Sequence, residues 1–238
     1  MAGLTVEQLA EQLRAAYGDA LRAVVVYGSS VAGEHIRRRS DTNVLVLVDR
    51  IDRERLSREG AIARAWEEGG NPPPLTMTVD EWRGSSDIFA MEYADILERH
   101  RVIHGALPLD GVSVERRHLR LQLERETMGK LLALRQGMLS SGNDRRALVE
   151  LLARSLSTFM VLFRATLRLH GEVPPTDYVQ LVQRMGTVAG ISPAPFERVV
   201  RHVRGTERIG REEADAVADG YLDGATRLVA HIDTLDLS

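Results

Sequence analysis

The chain has 238 residues, 44% of them hydrophobic and 27% charged. That composition fits one large or two small globular domains and excludes disorder as the main theme. Thirty-one Lys and Arg against 34 Asp and Glu leave a net charge of −3. No overall basic field is present to hold phosphate backbones, so general nucleic-acid binding is not expected. The absence of cysteine excludes disulfide frameworks, thiolate metal sites and a thiol nucleophile. The opening MAGLTVEQLAEQL lacks a basic segment followed by an apolar one, and no apolar run nears the ~20 residues a membrane span needs. A cytoplasmic protein without membrane association is expected.

Thr5 and Gln8 form a capping-box pattern, and Val6, Leu9, Leu13 and Tyr17 recur at helical spacing up to Gly18. Two β-branched apolar runs follow, Ala23 to Tyr27 and Asn43 to Val48, and both read as buried strands. Asp52 to Glu68 has helical composition and stops at Gly69-Gly70-Asn71-Pro72-Pro73-Pro74. Leu75 to Val79 then alternates as a third strand, and Ile88 to Ile96 reads as a fourth. Alternating strands and helices favour a mixed α/β layer in this half. After the turn cluster at Leu107 to Gly111 no strand-like run reappears. Leu119, Leu123, Leu131, Leu134 and Met138 mark one long helix. Leu148, Leu152, Leu156, Phe159, Phe163 and Leu167 mark the next, and three shorter segments follow, punctuated by Pro174-Pro175, Ser192-Pro193 and Gly210. The fold class expected is α+β for residues 1–106, followed by an all-α bundle of about five helices over 112–238 that binds substrate or partner.

The informative stretch is Val24-Val25-Val26-Tyr27-Gly28-Ser29, then the basic loop Arg37-Arg38-Arg39, then Ser40-Asp41-Thr42-Asn43-Val44. A Gly-Ser pair after a buried strand lets the backbone approach a phosphate closely and adds a hydroxyl donor. Residues two apart on a strand share a face, so side chains 41 and 43 reach the same ligand. The pattern resembles the nucleotidyltransferase superfamily that includes DNA polymerase β and the antibiotic-modifying nucleotidyltransferases, whose signature is an apolar strand, Gly-Ser, a spacer, then Asp-x-Asp. Gly28, Ser29 and Asp41 match it; Asn43 replaces the second aspartate.

The resemblance implies transfer of a nucleoside monophosphate from an NTP to a hydroxyl of a small molecule or protein, with Mg²⁺ as cofactor. Gly28, Ser29 and Arg39 would hold the triphosphate, Asp41 would bind metal, and Asn43 would be a weakened second metal ligand. It also implies a third carboxylate that activates the acceptor. Glu92 is preferred for that role beside Asp41, with Asp95 and Asp80 as alternatives, Asp80 also reading as a helix cap. Arg37 to Arg39 reads more readily as a solvated charge run than as a phosphate clamp. An alternative is a degenerate, nucleotide-binding or regulatory module in which Asn43 has removed catalysis. The segment from Phe163 to Tyr178 is similar to part of the HEPN-type bundles that accompany minimal nucleotidyltransferases, and Arg164 with His170 matches an Arg-x4–6-His ribonuclease spacing. His104 reads as packing or surface, and Trp66 and Trp82 are too isolated for a base-stacking platform.

Overall fold

The computed structural model describes residues 3–28 and 42–235, and the chain forms two compact units, Met1–Val114 and Glu115–Ser238. The first opens with helix α1 (Val6–Tyr17). Its capping box is closed in both directions: Gln8 N donates to Thr5 Oγ1 at 3.2 Å, and Thr5 N donates to Gln8 Oε1 at 2.9 Å. Strand β1 (Leu21–Tyr27), strand β2 (Asn43–Val48), helix α2 (Arg53–Glu67), strand β3 (Leu75–Thr78), helix α3 (Val79–Gly84), helix α4 (Ala90–Glu98) and strand β4 (His100–Gly105) follow. The sheet order is β3-β2-β1-β4, with β2 and β3 parallel and β1 antiparallel to both β2 and β4.

The central strands read as unbroken apolar runs because both faces of the sheet are covered. Val24, Val26, Val44, Val46 and Val48 pack against Leu9, Leu13 and Tyr17 of α1 and Trp66 of α2. Ala23, Val25, Leu45 and Leu47 point the other way, toward Met77, Trp82, Tyr93 and Ile96. Each strand thereby splits its valines and leucines between two cores, as the period of two requires.

Two sequence expectations are corrected in this unit. Ile88 to Ile96 is not a strand; Ile88 and Phe89 lie in a turn and α4 occupies the rest from Ala90. Its buried residues Ala90, Met91, Tyr93 and Ile96 follow helical spacing, and Ala, Met and Glu are stronger helix than strand formers. The fourth strand is instead His100–Gly105, paired along β1. Asp80 is not a helix cap: Thr78 caps α3, accepting from Glu81 N at 3.1 Å while Glu81 Oε2 accepts from Thr78 N at 2.7 Å. Asp80 sits inside the first turn.

The second unit is all helical: α5 (Arg116–Ser141), α6 (Arg145–Leu169), α7 (Tyr178–Ala189), α8 (Pro193–Arg204) and α9 (Ala214–Asp233). Gly142 ends α5, and Asp144 caps α6 by accepting from Arg146 N and Ala147 N. The pair runs antiparallel, since Gly137 lies against Leu151 while Arg116 donates to the Leu169 carbonyl at 2.6 Å. Phe159 and Phe163 of α6 make edge contacts with Phe196 of α8, and Tyr221 of α9 completes the aromatic core. The whole is an α+β unit followed by an all-α unit. Among the described residues, no helix is long and apolar enough to cross a membrane.

Candidate active site

β1 runs out at Tyr27, which pairs with Asn43 at the start of β2. Gly28 follows with φ +81°, a left-handed conformation that favours glycine. A Cβ built there would lie 3.0 Å from Asn43 Nδ2 and 3.8 Å from Asp95 Oδ2. Gly28, Asn43 and Asp95 therefore meet at one end of the sheet. Asn43 shares the parity of Leu45 and Leu47, so it emerges on the face covered by α4, and Tyr27 packs into that same face.

What aims Asp95 at this corner is the anchoring of α4. Tyr93 stacks on Trp82 with ring centroids 4.2 Å apart and planes 14° from parallel, and its hydroxyl donates to the Trp82 carbonyl at 2.7 Å. Trp82 in turn donates its indole N–H to the Pro108 carbonyl at 2.8 Å. Burial pushes the Tyr93 phenol up to about 12, which keeps that donor protonated. His100 Nδ1 lies 2.7 Å from the Ile96 carbonyl at the other end of the helix. With α4 pinned at both ends, Glu92 and Asp95, three apart, share a helix face. Glu92 is exposed and Asp95 half-buried. Both raise the Tyr27 phenol: it is pushed up to about 12, first by burial, then by the negative charge of Glu92, then by that of Asp95. The two carboxylates, the Tyr27 ring, the Asn43 amide and the bare Gly28 backbone thus form one electronegative corner.

Asn71 is a further residue at this end, and sequence reading treats it only as part of a turn. Its Oδ1 accepts from Thr42 N at 3.0 Å, while its Nδ2 reaches the Trp66 carbonyl at 3.4 Å. It ties the residue entering β2 to the end of α2. The signal in the sequence is no more than an Asn in a Gly-Pro loop, which is the composition of any turn.

Of the residues singled out from the sequence, Gly28, Asn43 and Glu92 belong to this corner, and Asp95 joins them. Ser29, Arg39 and Asp41, with Arg37 and Arg38, lie outside the described residues. Asp80 belongs to the opposite end. β3 runs parallel to β2 with Thr78 beside Val48, so α3 starts five residues along the strand from Asn43, a separation of about 17 Å. Asp80 there lines a separate hollow of about 430 Å³ with the Arg22–Asp49 ion pair. His104 is half-buried in β4 opposite Val24. In the helical unit, Arg164 is buried with its guanidinium 5.4 Å from the Tyr178 ring centre. His170 is at the surface, its Nε2 2.9 Å from that of His231. Among the described residues no group of three or more His, Asp and Glu could hold a metal ion.

No family model matches the chain, and no curated protein matches it in sequence. Among solved structures it is similar to spectinomycin adenyltransferase AAD(9) from Enterococcus faecialis, solved with ATP and spectinomycin. The TM-score is 0.53 at 14% identity, over 92% of this chain and 96% of that one. At this identity the likeness concerns the fold alone.

Proposed function

We propose that the chain transfers a nucleoside monophosphate, with ATP as the first donor to test, to a hydroxyl group of a small molecule. The observation that supports this most is the meeting of Gly28, Asn43 and Asp95 at one sheet end in a fold shared with an adenyltransferase. A glycine with positive φ at a strand end leaves room for a phosphate at the backbone, and Ser29 would add a hydroxyl donor and Arg39 a charge. The acceptor oxygen attacks the α-phosphorus, the bond from that phosphorus to the bridging oxygen breaks, and pyrophosphate leaves. The acceptor's proton passes to a carboxylate on α4. Asp95 suits that role better than Glu92, because its Oδ2 lies 3.8 Å from a Cβ built at Gly28, whereas no Glu92 atom comes within 4 Å of that point. The helical bundle of residues 112–238 would recognise the acceptor.

The donor chemistry suits Mg²⁺ in kind. The Asp95 and Glu92 carboxylates and the Asn43 amide oxygen are hard oxygen ligands, and Asp41, two residues before Asn43, would complete the set. When bound, the ion would neutralise charge on the triphosphate. One observation also favours a second reading, a nucleotide-binding module without chemistry: the residue beside Gly28 is an amide, so the corner carries one negative charge fewer than the Asp-x-Asp pattern supplies.

The test is pyrophosphate release from Mg-ATP by the purified chain, with spectinomycin and other hydroxyl-bearing small molecules as acceptors. Acceptor-dependent release abolished by Asp41→Ala supports the enzyme. Tight ATP binding with no release under any acceptor, followed by gain of release in Asn43→Asp, supports the module. Absence of ATP binding in both overturns the two readings together.

A further inference from the structure

Helices α6 and α9 pack together running in the same direction, and side-chain hydrogen bonds join them at three levels. Arg145 donates to Asp215 at 2.6 Å near their first turns, and Ser155 donates to the Tyr221 hydroxyl at 3.2 Å in the middle. At the far end His170 meets His231, Nε2 to Nε2, at 2.9 Å. Arg145 holds the Asp215 carboxyl below the usual carboxylate range, and burial raises the Tyr221 phenol, so the first two levels keep their charges from neutral pH into mild acid. Imidazole is the side chain that gains a proton in that range.

The two ring centroids are 5.1 Å apart, close to the longest separation that imidazoles can have with those nitrogens 2.9 Å apart, and the planes differ by 23°. The rings therefore lie end to end, and the contact is an N–H···N hydrogen bond. Such a bond needs one ring protonated on Nε2 and the other bare there. Two neutral rings satisfy it, the acceptor carrying its proton on Nδ1. One added proton goes to the donor's Nδ1 and leaves the bond in place, now charge-assisted. A second added proton puts a hydrogen on both Nε2 atoms, and the contact becomes a repulsion between two cations.

The surroundings accept one positive charge and oppose two. His170 is exposed and His231 half-buried, so protons reach the pair from solvent. Both helices end here, and helix C-termini favour a cation. Guanidiniums already stand at those ends: Arg116 of α5 donates to the Leu169 carbonyl at 2.6 Å, and Arg120 to the carbonyls of Ile232 and Asp233 at 3.2 Å. Arg168 lies in the last turn of α6, and on α9 Arg227 is held by Asp223 at 2.7 Å. Glu172 is within electrostatic reach of His170, but Arg184 of α7 holds both its oxygens at 2.6 Å. The Asp233 side chain, two residues past His231, leaves α9 about 200° further round. None of these groups offers a second imidazolium a carboxylate of its own. Burial, and then His170, hold the His231 imidazole below its ordinary 6.5.

We propose that His170 and His231 form a proton-operated clasp, which holds the C-terminal ends of α6 and α9 together at neutral pH and releases them in mild acid. His231 takes a proton less readily in the folded chain than in the unfolded one. The unfolded state therefore binds more protons as pH falls, so the clasp's contribution is complete above about pH 6.5 and is lost as pH drops through the lower folded value. The device is independent of the corner at Gly28 and stands whether or not the chain transfers nucleotides.

The experiment uses the full chain labelled with nitrogen-15. A nitrogen–nitrogen coupling through the hydrogen bond between the two Nε2 atoms is expected near pH 7, and it should vanish by about pH 4.5. Over the same range, amide exchange in the last turn of α9, corrected for intrinsic rates, should speed up by about tenfold or more. In His170→Gln and in His231→Gln that turn should already exchange faster at neutral pH and respond to acid less than about threefold. Far-UV circular dichroism confirms that the variants keep their helices, and His170→Gln, at an exposed position, is the milder of the two. Absence of the coupling at neutral pH overturns the proposal. So does a coupling that persists at about pH 4.5, or an acid response of the exchange that is the same in the parent and both variants.

Discussion

The two faces of the sheet carry the same chemical group in opposite circumstances. On the face under α1 and α2, Glu59 is 5% exposed, and its carboxylate accepts hydrogen bonds from the Tyr17 and Thr76 hydroxyls. Burial and that bond together push the Tyr17 phenol upward. On the face under α4, Asp95 and Glu92 stand at the sheet's end, half-buried and exposed, next to a glycine whose missing side chain leaves the backbone open. A carboxylate enclosed by hydroxyls over the middle of a sheet fastens helix to strand. One at the strand ends beside bare backbone can meet a ligand.

The largest effect that follows from this contrast concerns Asp95. If it takes the acceptor's proton, Asp95→Asn lowers the rate of acceptor-dependent pyrophosphate release about 10²–10⁴-fold. Glu92→Gln should then lower it less than about tenfold, because Glu92 is more exposed and acts through the field around Tyr27. The reverse ranking would hand the role to Glu92. In the same assay Glu59→Gln should leave the rate of the folded protein close to that of the parent.

Glu59 answers to stability instead. Glu59→Ala leaves the buried Tyr17 hydroxyl and the half-buried Thr76 hydroxyl without their acceptor, at about 1–3 kcal/mol for the buried one and less for the other. We expect a loss of about 3 kcal/mol in urea unfolding, with ATP affinity unchanged in the folded protein. Lost affinity without lost stability would show that the two faces do not divide their work in this way.

How far the sequence discloses all this differs between strands and helices. β1 and β2 are legible because buried strands in a covered sheet are runs of valine and leucine with no competing helical period. The capping box of α1 is legible because Thr5 and Gln8 satisfy each other locally. α4 is not, because Ile88 to Ile96 is a short apolar run whose ends are β-branched or aromatic, and over nine residues the helical and extended periods both fit. What decides it is tertiary: the stack of Tyr93 on Trp82, eleven residues earlier in the chain. The same contact explains why the preference for Glu92 over Asp95, drawn from the sequence on the register of a strand, has no basis in the helix, where their order depends on helix rotation. Thr78 as the cap of α3 was available in the Thr-x-x-Glu spacing to Glu81, hidden by reading Thr78 as strand alone. Asn71 had no local signal, because its role is a hydrogen bond across 29 residues to Thr42.

The smallest effect tests the electrostatics of the corner without any need for activity. Tyr27 has its phenol raised from the ordinary 10.0 to about 12. Above pH 10 the unfolded chain gives up this proton while the folded chain keeps it, so the unfolded state binds fewer protons and stability falls as pH rises. The contribution is intact below pH 10 and is lost between 10 and 12, at up to about 1.4 kcal/mol per pH unit. Tyr27→Phe should remove one group's share of the alkaline slope in urea unfolding, leaving the shares of Tyr17, Tyr93 and Tyr221, whose phenols are also raised. Because burial is the first cause and the two carboxylates only the second and third, Asp95→Asn should lower the Tyr27 titration in phenolate absorbance part of the way, and adding Glu92→Gln should lower it further without restoring 10.0. A titration that ignores both substitutions would mean that α4 does not turn its acids toward Tyr27. Asp95 would then lose its place beside Gly28, whatever the activity assay shows.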